Sequence, residues 1–130
     1  KGKAISNNTN VALNFYWKTL KKQIRIEGKT LKVNNKTADE YFYSRPIESQ
    51  IGAWASIQSN NLKNRLELEK RFKDYEIKFK YKKVTRPTHW SGYIVVPNLI
   101  EFWQEMPHRL HHRVEFKKVK SIWKARNLFP

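Results

Sequence analysis

The sequence predicts a mainly β, α+β fold in which antiparallel strands, or a small barrel built from them, frame a helical insertion. Two observations predict it. Apolar and polar residues alternate with period two near both ends of the chain, whereas the middle carries apolar residues at four-three-four spacing. At 130 residues the chain is long enough for one domain with a real core, and a 14% aromatic content makes much of that core aromatic.

The elements follow in order. Lys1-Gly2-Lys3 leads into the polar cluster Ser6-Asn7-Asn8. Val11, Leu13 and Phe15 alternate with Ala12 and Asn14, the pattern of a strand over 10–17 with one buried face. A second strand runs from Lys21 to Val33, with Ile24 and Ile26 on one side, Gln23, Arg25 and Glu27 on the other, and Gly28 as a candidate bulge. Thr37-Ala38-Asp39-Glu40 has the form of a capping box and predicts a short helix over 37–44. Pro46 opens another over 46–57, and Gln58-Ser59-Asn60-Asn61 is a polar break. Leu68, Phe72, Tyr75 and Phe79 form the core stripe of a longer helix over 62–80. Lys82 to Thr88 is a basic, proline-bearing connector. The last third is strand-like: Tyr93–Val96, then Ile100–Gln104 after a Pro97-Asn98 connection, then Arg113–Lys117 paired with Ile122–Arg126.

Composition narrows the function. A net charge of +16 favours anionic partners: nucleic acid, phosphorylated small molecules or acidic membranes. Its source is scattered lysine rather than one dense block. Lys78-Phe79-Lys80-Tyr81-Lys82-Lys83 interleaves aromatics with charge, as a nucleic-acid site would, but a solvated helix end is the better explanation. The absence of cysteine excludes disulfides and thiol catalysis. No apolar run approaches the roughly 20 residues of a membrane span, and no signal-peptide core opens the chain, so a cytoplasmic protein is expected. The chain starts at Lys1 without Met and reaches a strand at once, which reads as the later part of a longer polypeptide. No glycine-rich phosphate loop, nucleophilic constellation or paired carboxylates stand out, and His108, His111 and His112 lack the partners that would complete a metal shell.

What remains is anion-binding and stacking equipment. The run from Glu101 to Arg113 sets the flat ring of Trp103 and the imidazole of His111 beside two planar guanidinium forks, Arg109 and Arg113. Tyr41, Arg45 and Ser49 are spaced by four, so one guanidinium and two hydroxyls could grip a phosphate, with Pro46 bending the chain between them. With Lys1, Gln23, Gln58 and Ser59, the inventory suits a phosphorylated aromatic ligand oriented by protein while a cofactor does the chemistry. A half-buried strand tryptophan and solvated charges are the bland alternative.

In Tyr41-Phe42-Tyr43-Ser44-Arg45-Pro46, Ser49-Gln50-Ile51-Gly52-Ala53, Gln58-Ser59, Trp90-Ser91-Gly92-Tyr93, Glu101-Phe102-Trp103-Gln104, Arg109-Leu110-His111 and Leu128-Phe129-Pro130 the chain resembles the pyridoxamine 5′-phosphate oxidase family over essentially its whole length. The resemblance implies an FMN-binding split β-barrel, incomplete at its N-terminus, with residues 1–130 forming a single domain that includes the C-terminal dimerisation region. It implies a homodimer that oxidises pyridoxine or pyridoxamine 5′-phosphate to pyridoxal 5′-phosphate by hydride transfer to FMN, with dioxygen reoxidising the flavin. No nucleic-acid or membrane partner is expected. By similarity, Lys1, Gln23, Gln58, Ser59, Trp103 and Arg113 contact FMN. Tyr41, Arg45 and Ser49 match the grip on the substrate phosphate, and Arg109 and His111 match the pair that positions the substrate ring. The family's early strands precede Lys1, so their absence leaves barrel edges open. Two positions depart from its pattern: Glu105 stands where glycine is usual, and His112 replaces an aspartate expected to partner Arg113 or a neighbour. A catalytically silent relative that binds flavin or pyridoxal phosphate is the alternative these departures raise.

Overall fold

The computed structural model describes residues 2–130, which gather into two compact units. The first comprises the chain up to Leu31 together with Tyr93–Pro130; the second is Lys32–Gly92. No helix among the described residues is long and apolar enough to cross a membrane.

The first unit is a short helix, α1 (Gly2–Asn7), and a five-stranded sheet of β1 (Asn10–Trp17), β2 (Lys22–Lys32), β3 (Tyr93–Gln104), β4 (His112–Val119) and β5 (Ile122–Asn127). The strands lie in sequence order, and β1–β2, β3–β4 and β4–β5 pair antiparallel. β1 and β2 pair from Asn10↔Lys29 to Trp17↔Lys22 without a break, so Gly28 is not a bulge. Its role is close approach instead. A Cβ there would lie 2.9 Å from both Val96 C and Pro97 Cα, so only glycine lets β3 run this near. The expected connection at Pro97-Asn98 is likewise absent. β3 is one twelve-residue strand, and its ladder with β4 begins only at Leu99, past the residue that lacks an N–H. Lys120 and Ser121, both at positive φ, close the β4–β5 hairpin in two residues.

Strand alternation gives the sheet two chemically different faces. One carries Gln23, Arg25, Glu101, Trp103, Arg113, Glu115 and Arg126; the other carries Leu13, Phe15, Ile24, Ile26, Phe102, Val114 and Phe116. The separation of Ile24 and Ile26 from Gln23, Arg25 and Glu27 is as the period-two pattern predicts. The buried face expected for β1 is not closed by the described residues, since Leu13, Phe15 and Trp17 are exposed.

The second unit is helical: α2 (Asn35–Tyr43), α3 (Ile47–Ala55) and α4 (Arg65–Phe79). α2 begins earlier than the capping box implies. Asn34 is the N-cap, its Oδ1 accepting from Thr37 N at 2.8 Å, so Thr37 is inside the helix. Pro46 caps α3 through its carbonyl, which accepts from Ser49 N and Gln50 N. The core is Phe42, Ile51, Phe79 and Val84, with Phe72, Tyr75, Trp54 and Trp90 packed against it. The predicted stripe thus faces inward. The Lys78–Lys83 run is a helix end: Phe79 is core, and the ammonium of Lys78 lies over the rings of Trp54, Tyr75 and Phe79.

Candidate functional site

On the polar face of the sheet, Gln23, Arg25, Glu101, Trp103, His111, Arg113 and Pro130 line a cleft of about 280 Å³. Trp103 and Arg113 are cross-strand partners, so the ladder itself sets ring beside guanidinium. Glu101 is buried and organises the arginines: its carboxylate accepts from Arg113 Nε at 2.7 Å and from Arg25 Nη2 at 3.2 Å. The Arg113 hydrogen bond, aided by Arg25 and opposed by burial, holds the Glu101 carboxyl below the usual carboxylate range. The same bond raises Arg113 above its ordinary value. Arg113 Nη1 donates to Phe129 O at 2.9 Å, tying the chain's last residues to the cleft. Its Nη2 has no protein partner among the described residues.

His111 sits after the 3₁₀ turn Pro107–Arg109, with its ring 4.8 Å from that of Trp103. Its Nδ1 accepts from Met106 N at 3.2 Å, so the neutral ring carries its proton on Nε2. The two departures from the family pattern also find places here. Glu105 pairs with Lys21 at 3.0 Å. His112, adjacent to Arg113 in a strand, belongs to the opposite face and lines an apolar cleft with Trp17, Phe102 and Val114. Arg113 therefore takes its carboxylate from Glu101, not from position 112.

A second cleft, of about 400 Å³, lies in the helical unit and is lined by Arg45, Ser49, Gln58, His89, Trp90 and Ser91 among others. Tyr41 is near the end of α2, Arg45 in the turn after it and Ser49 in the first turn of α3, so the bend expected at Pro46 separates them as predicted. The Arg45 guanidinium lies 5.3 Å from the centre of the Trp90 ring, and Tyr41 stacks on that ring at 5.9 Å. Arg45 Nη1 is buried and has no hydrogen-bond partner among the described residues. A buried donor in that state favours an arriving anion.

The structure brings Gln23, Trp103, His111 and Arg113 into one cleft and Arg45, Ser49 and Gln58 into the other. Ser59 and Arg109 are exposed, both at positive φ, and line neither cleft. Lys1 lies outside the described residues. Sequence reasoning gave no role to Arg25, Glu101 or Trp90. Alternation along β3 was the available signal for Glu101, which it sets on the same face as Trp103.

Helices inserted in the chain between strands of an antiparallel sheet make this an α+β protein, and the sheet's polar face carries clustered arginines. The family model described as pyridoxamine 5′-phosphate oxidase matches residues 1–79, and that of the pyridoxine 5′-phosphate oxidase C-terminal dimerisation region matches residues 90–130. The chain belongs to this oxidase family. It is 45% identical over 130 residues to the pyridoxine/pyridoxamine 5′-phosphate oxidase of Rhodospirillum rubrum and 48% identical to that of Sphingopyxis alaskensis, in each case over its whole length. It spans 65% and 60% of those two relatives. Among solved structures, PhzG from Burkholderia lata, in complex with tetrahydrophenazine-1-carboxylic acid, superposes with a TM-score of 0.91 at 25% identity, covering all of this chain and 63% of that one. A pyridoxamine 5′-phosphate oxidase-related, FMN binding protein from Nostoc punctiforme shares the fold, with a TM-score of 0.71 at 10% identity, covering all of this chain and 69% of that one.

Proposed function

We propose that the protein, as a cytoplasmic homodimer, oxidises pyridoxine or pyridoxamine 5′-phosphate to pyridoxal 5′-phosphate, and that residues 1–130 belong to one split-barrel domain. The observation that carries the reading is the buried, unpartnered Arg45 Nη1 in a cleft shared with Ser49. Such a donor set suits the dianion of a phosphate ester.

The residues of the sheet cleft fit FMN. Gln23 and Arg113 Nη2 offer donors suited to the carbonyl and ring-nitrogen acceptors of an isoalloxazine, and Trp103 supplies flat apolar surface beside them. FMN bound there would supply the redox chemistry, hydride acceptance from the substrate with dioxygen as the terminal oxidant. Within that cleft Gln23, Trp103 and Arg113 would hold it.

The chain's own contributions are binding, orientation and electrostatics. Tyr41, Arg45 and Ser49 grip the substrate phosphate. Arg109 and His111 orient the substrate ring, with His111 donating from Nε2 because Nδ1 is already engaged by Met106 N. Glu101 aims Arg113 through the Nε hydrogen bond, so its remaining donors are preorganised for an acceptor.

The test uses the full-length gene product. The protein is mixed with FMN, desalted and scanned for a flavin absorbance band, then assayed for peroxide release with pyridoxine 5′-phosphate. A retained band with turnover supports the reading. A retained band without turnover supports the silent relative, and a colourless, inactive full-length protein overturns both.

A further inference from the structure

We infer that Trp90 is a positioning residue that aims Arg45 and Tyr41 at the phosphate of the substrate, an assignment that rests on the oxidase reading above. A phosphate-gripping arginine faces a conflict. Holding the side chain still with a carboxylate would consume the hydrogens meant for the ligand and cancel the charge. An aromatic face attracts a guanidinium through its quadrupole and uses none of its N–H donors. Arg45 is held in this second way. Its guanidinium carbon is 5.3 Å from the Trp90 ring centre, while Nη1 stays buried and without a partner. The same ring stacks on Tyr41 at 5.9 Å and 26°, so one indole bears on two of the three gripping residues.

Trp90 is itself held firmly. Its ring meets Phe42, which is fully buried, edge-on at 5.3 Å. Its carbonyl accepts from Arg86 Nη1 at 2.6 Å, and its N–H donates to Pro87 O at 3.0 Å. Arg86 is anchored in turn on Asp39 at 2.6 Å and on Asn35 at 3.1 Å. Arg45 is held at its backbone by Gln50, whose Nε2 donates to Arg45 O at 2.9 Å. Backbone and guanidinium are thus both placed, and only the donor hydrogens are left for a ligand.

The test is a double-mutant cycle in the full-length protein loaded with FMN, read as KM and kcat for pyridoxine 5′-phosphate and as pyridoxal 5′-phosphate affinity by calorimetry. Losing a desolvated cation–π contact should raise KM and weaken binding about 2- to 30-fold in Trp90→Leu, with kcat and flavin content kept. Trp90→Phe, which retains an aromatic face, should recover most of that loss. In an Arg45→Ala background, Trp90→Leu should cost clearly less than it does alone, because the share of its effect that runs through Arg45 is gone and only that through Tyr41 is left. An equal penalty in both backgrounds, or no penalty in either, overturns the assignment while leaving the oxidase reading standing. If the unmutated protein neither binds pyridoxal 5′-phosphate nor oxidises its precursor, the parent reading falls and this one with it. Should Trp90→Leu fail to fold, Trp90→Met, which also removes the aromatic face, completes the same cycle against Arg45→Ala.

Discussion

Replacing Glu101 by Gln tests the electrostatic centre of the sheet cleft. The carboxylate is buried and serves two arginines, Arg113 at 2.7 Å and Arg25 at 3.2 Å. Removing one partner of a fully buried ion pair costs about 3–5 kcal/mol. Here Arg113 and Arg25 keep 30% and 38% of their side-chain surface in solvent, which screens the loss. Glu115 lies directly opposite Glu101 in the ladder, so neutralising one of two facing carboxylates also relieves repulsion. Both corrections lower the expected cost of Glu101→Gln to about 2 kcal/mol, the scale of a charged hydrogen bond. For a chain of this size that is a fall in Tm of roughly 6–10 °C near neutral pH.

The acid dependence provides the sharper test. The folded-state pKa of Glu101 lies below its unfolded value. Its contribution is therefore fully present above the unfolded value, about 4.3 for glutamate, and disappears as pH falls through the folded value. Thermal unfolding followed by circular dichroism across that range should show the gap between native and Glu101→Gln proteins narrowing on acidification. A gap under about 2 °C at neutral pH, against the several degrees expected per kcal/mol, or one that persists unchanged in acid, would refute the reasoning.

Other residues offer independent checks. Gly28→Ala forces a Cβ against Val96 and Pro97 and should destabilise by about 1–3 kcal/mol, read from urea unfolding; an unchanged midpoint would mean β3 can shift aside. Asn34→Ala removes the α2 cap and should cost about 1 kcal/mol by the same assay, with Asn34→Ser close to native. Arg109→Ala in the full-length protein should lower kcat/KM by roughly ten- to a hundredfold, the range for a charged hydrogen bond lost at the substrate. Flavin content should be kept, and a matching loss of FMN would show that its role had been misassigned.

The chain's local chemistry was legible without coordinates wherever neighbours along the sequence decide the outcome. Alternation in Gln23–Glu27 separates polar from apolar faces, the stripe from Leu68 to Phe79 finds the core, and Pro46 starts a new helix. Family likeness, carried by motifs such as Tyr41–Pro46 and Glu101–Gln104, was legible for the same reason. Reading failed where the deciding partner is distant. Gly28 resembles a bulge until β3 is laid beside it, and Pro97 resembles a turn until its place ahead of the β4 ladder is known. Asn34 rather than Thr37 caps α2, because cap choice depends on where the preceding strand releases the chain.

The sequence by itself determined the strand and helix types, the family and the identities of the residues that can bind an anion or stack on a ring. Only the tertiary structure decided how those residues are held. Glu101, not position 112, partners Arg113, because adjacent strand residues face opposite ways and cross-strand pairing brings position 101 within reach. Arg45 keeps its donors unspent because a ring more than forty positions later in the chain lies over its guanidinium. Hydrogen bonds and cation–π contacts fall off within a few ångströms, so their partners are set by packing rather than by distance along the chain.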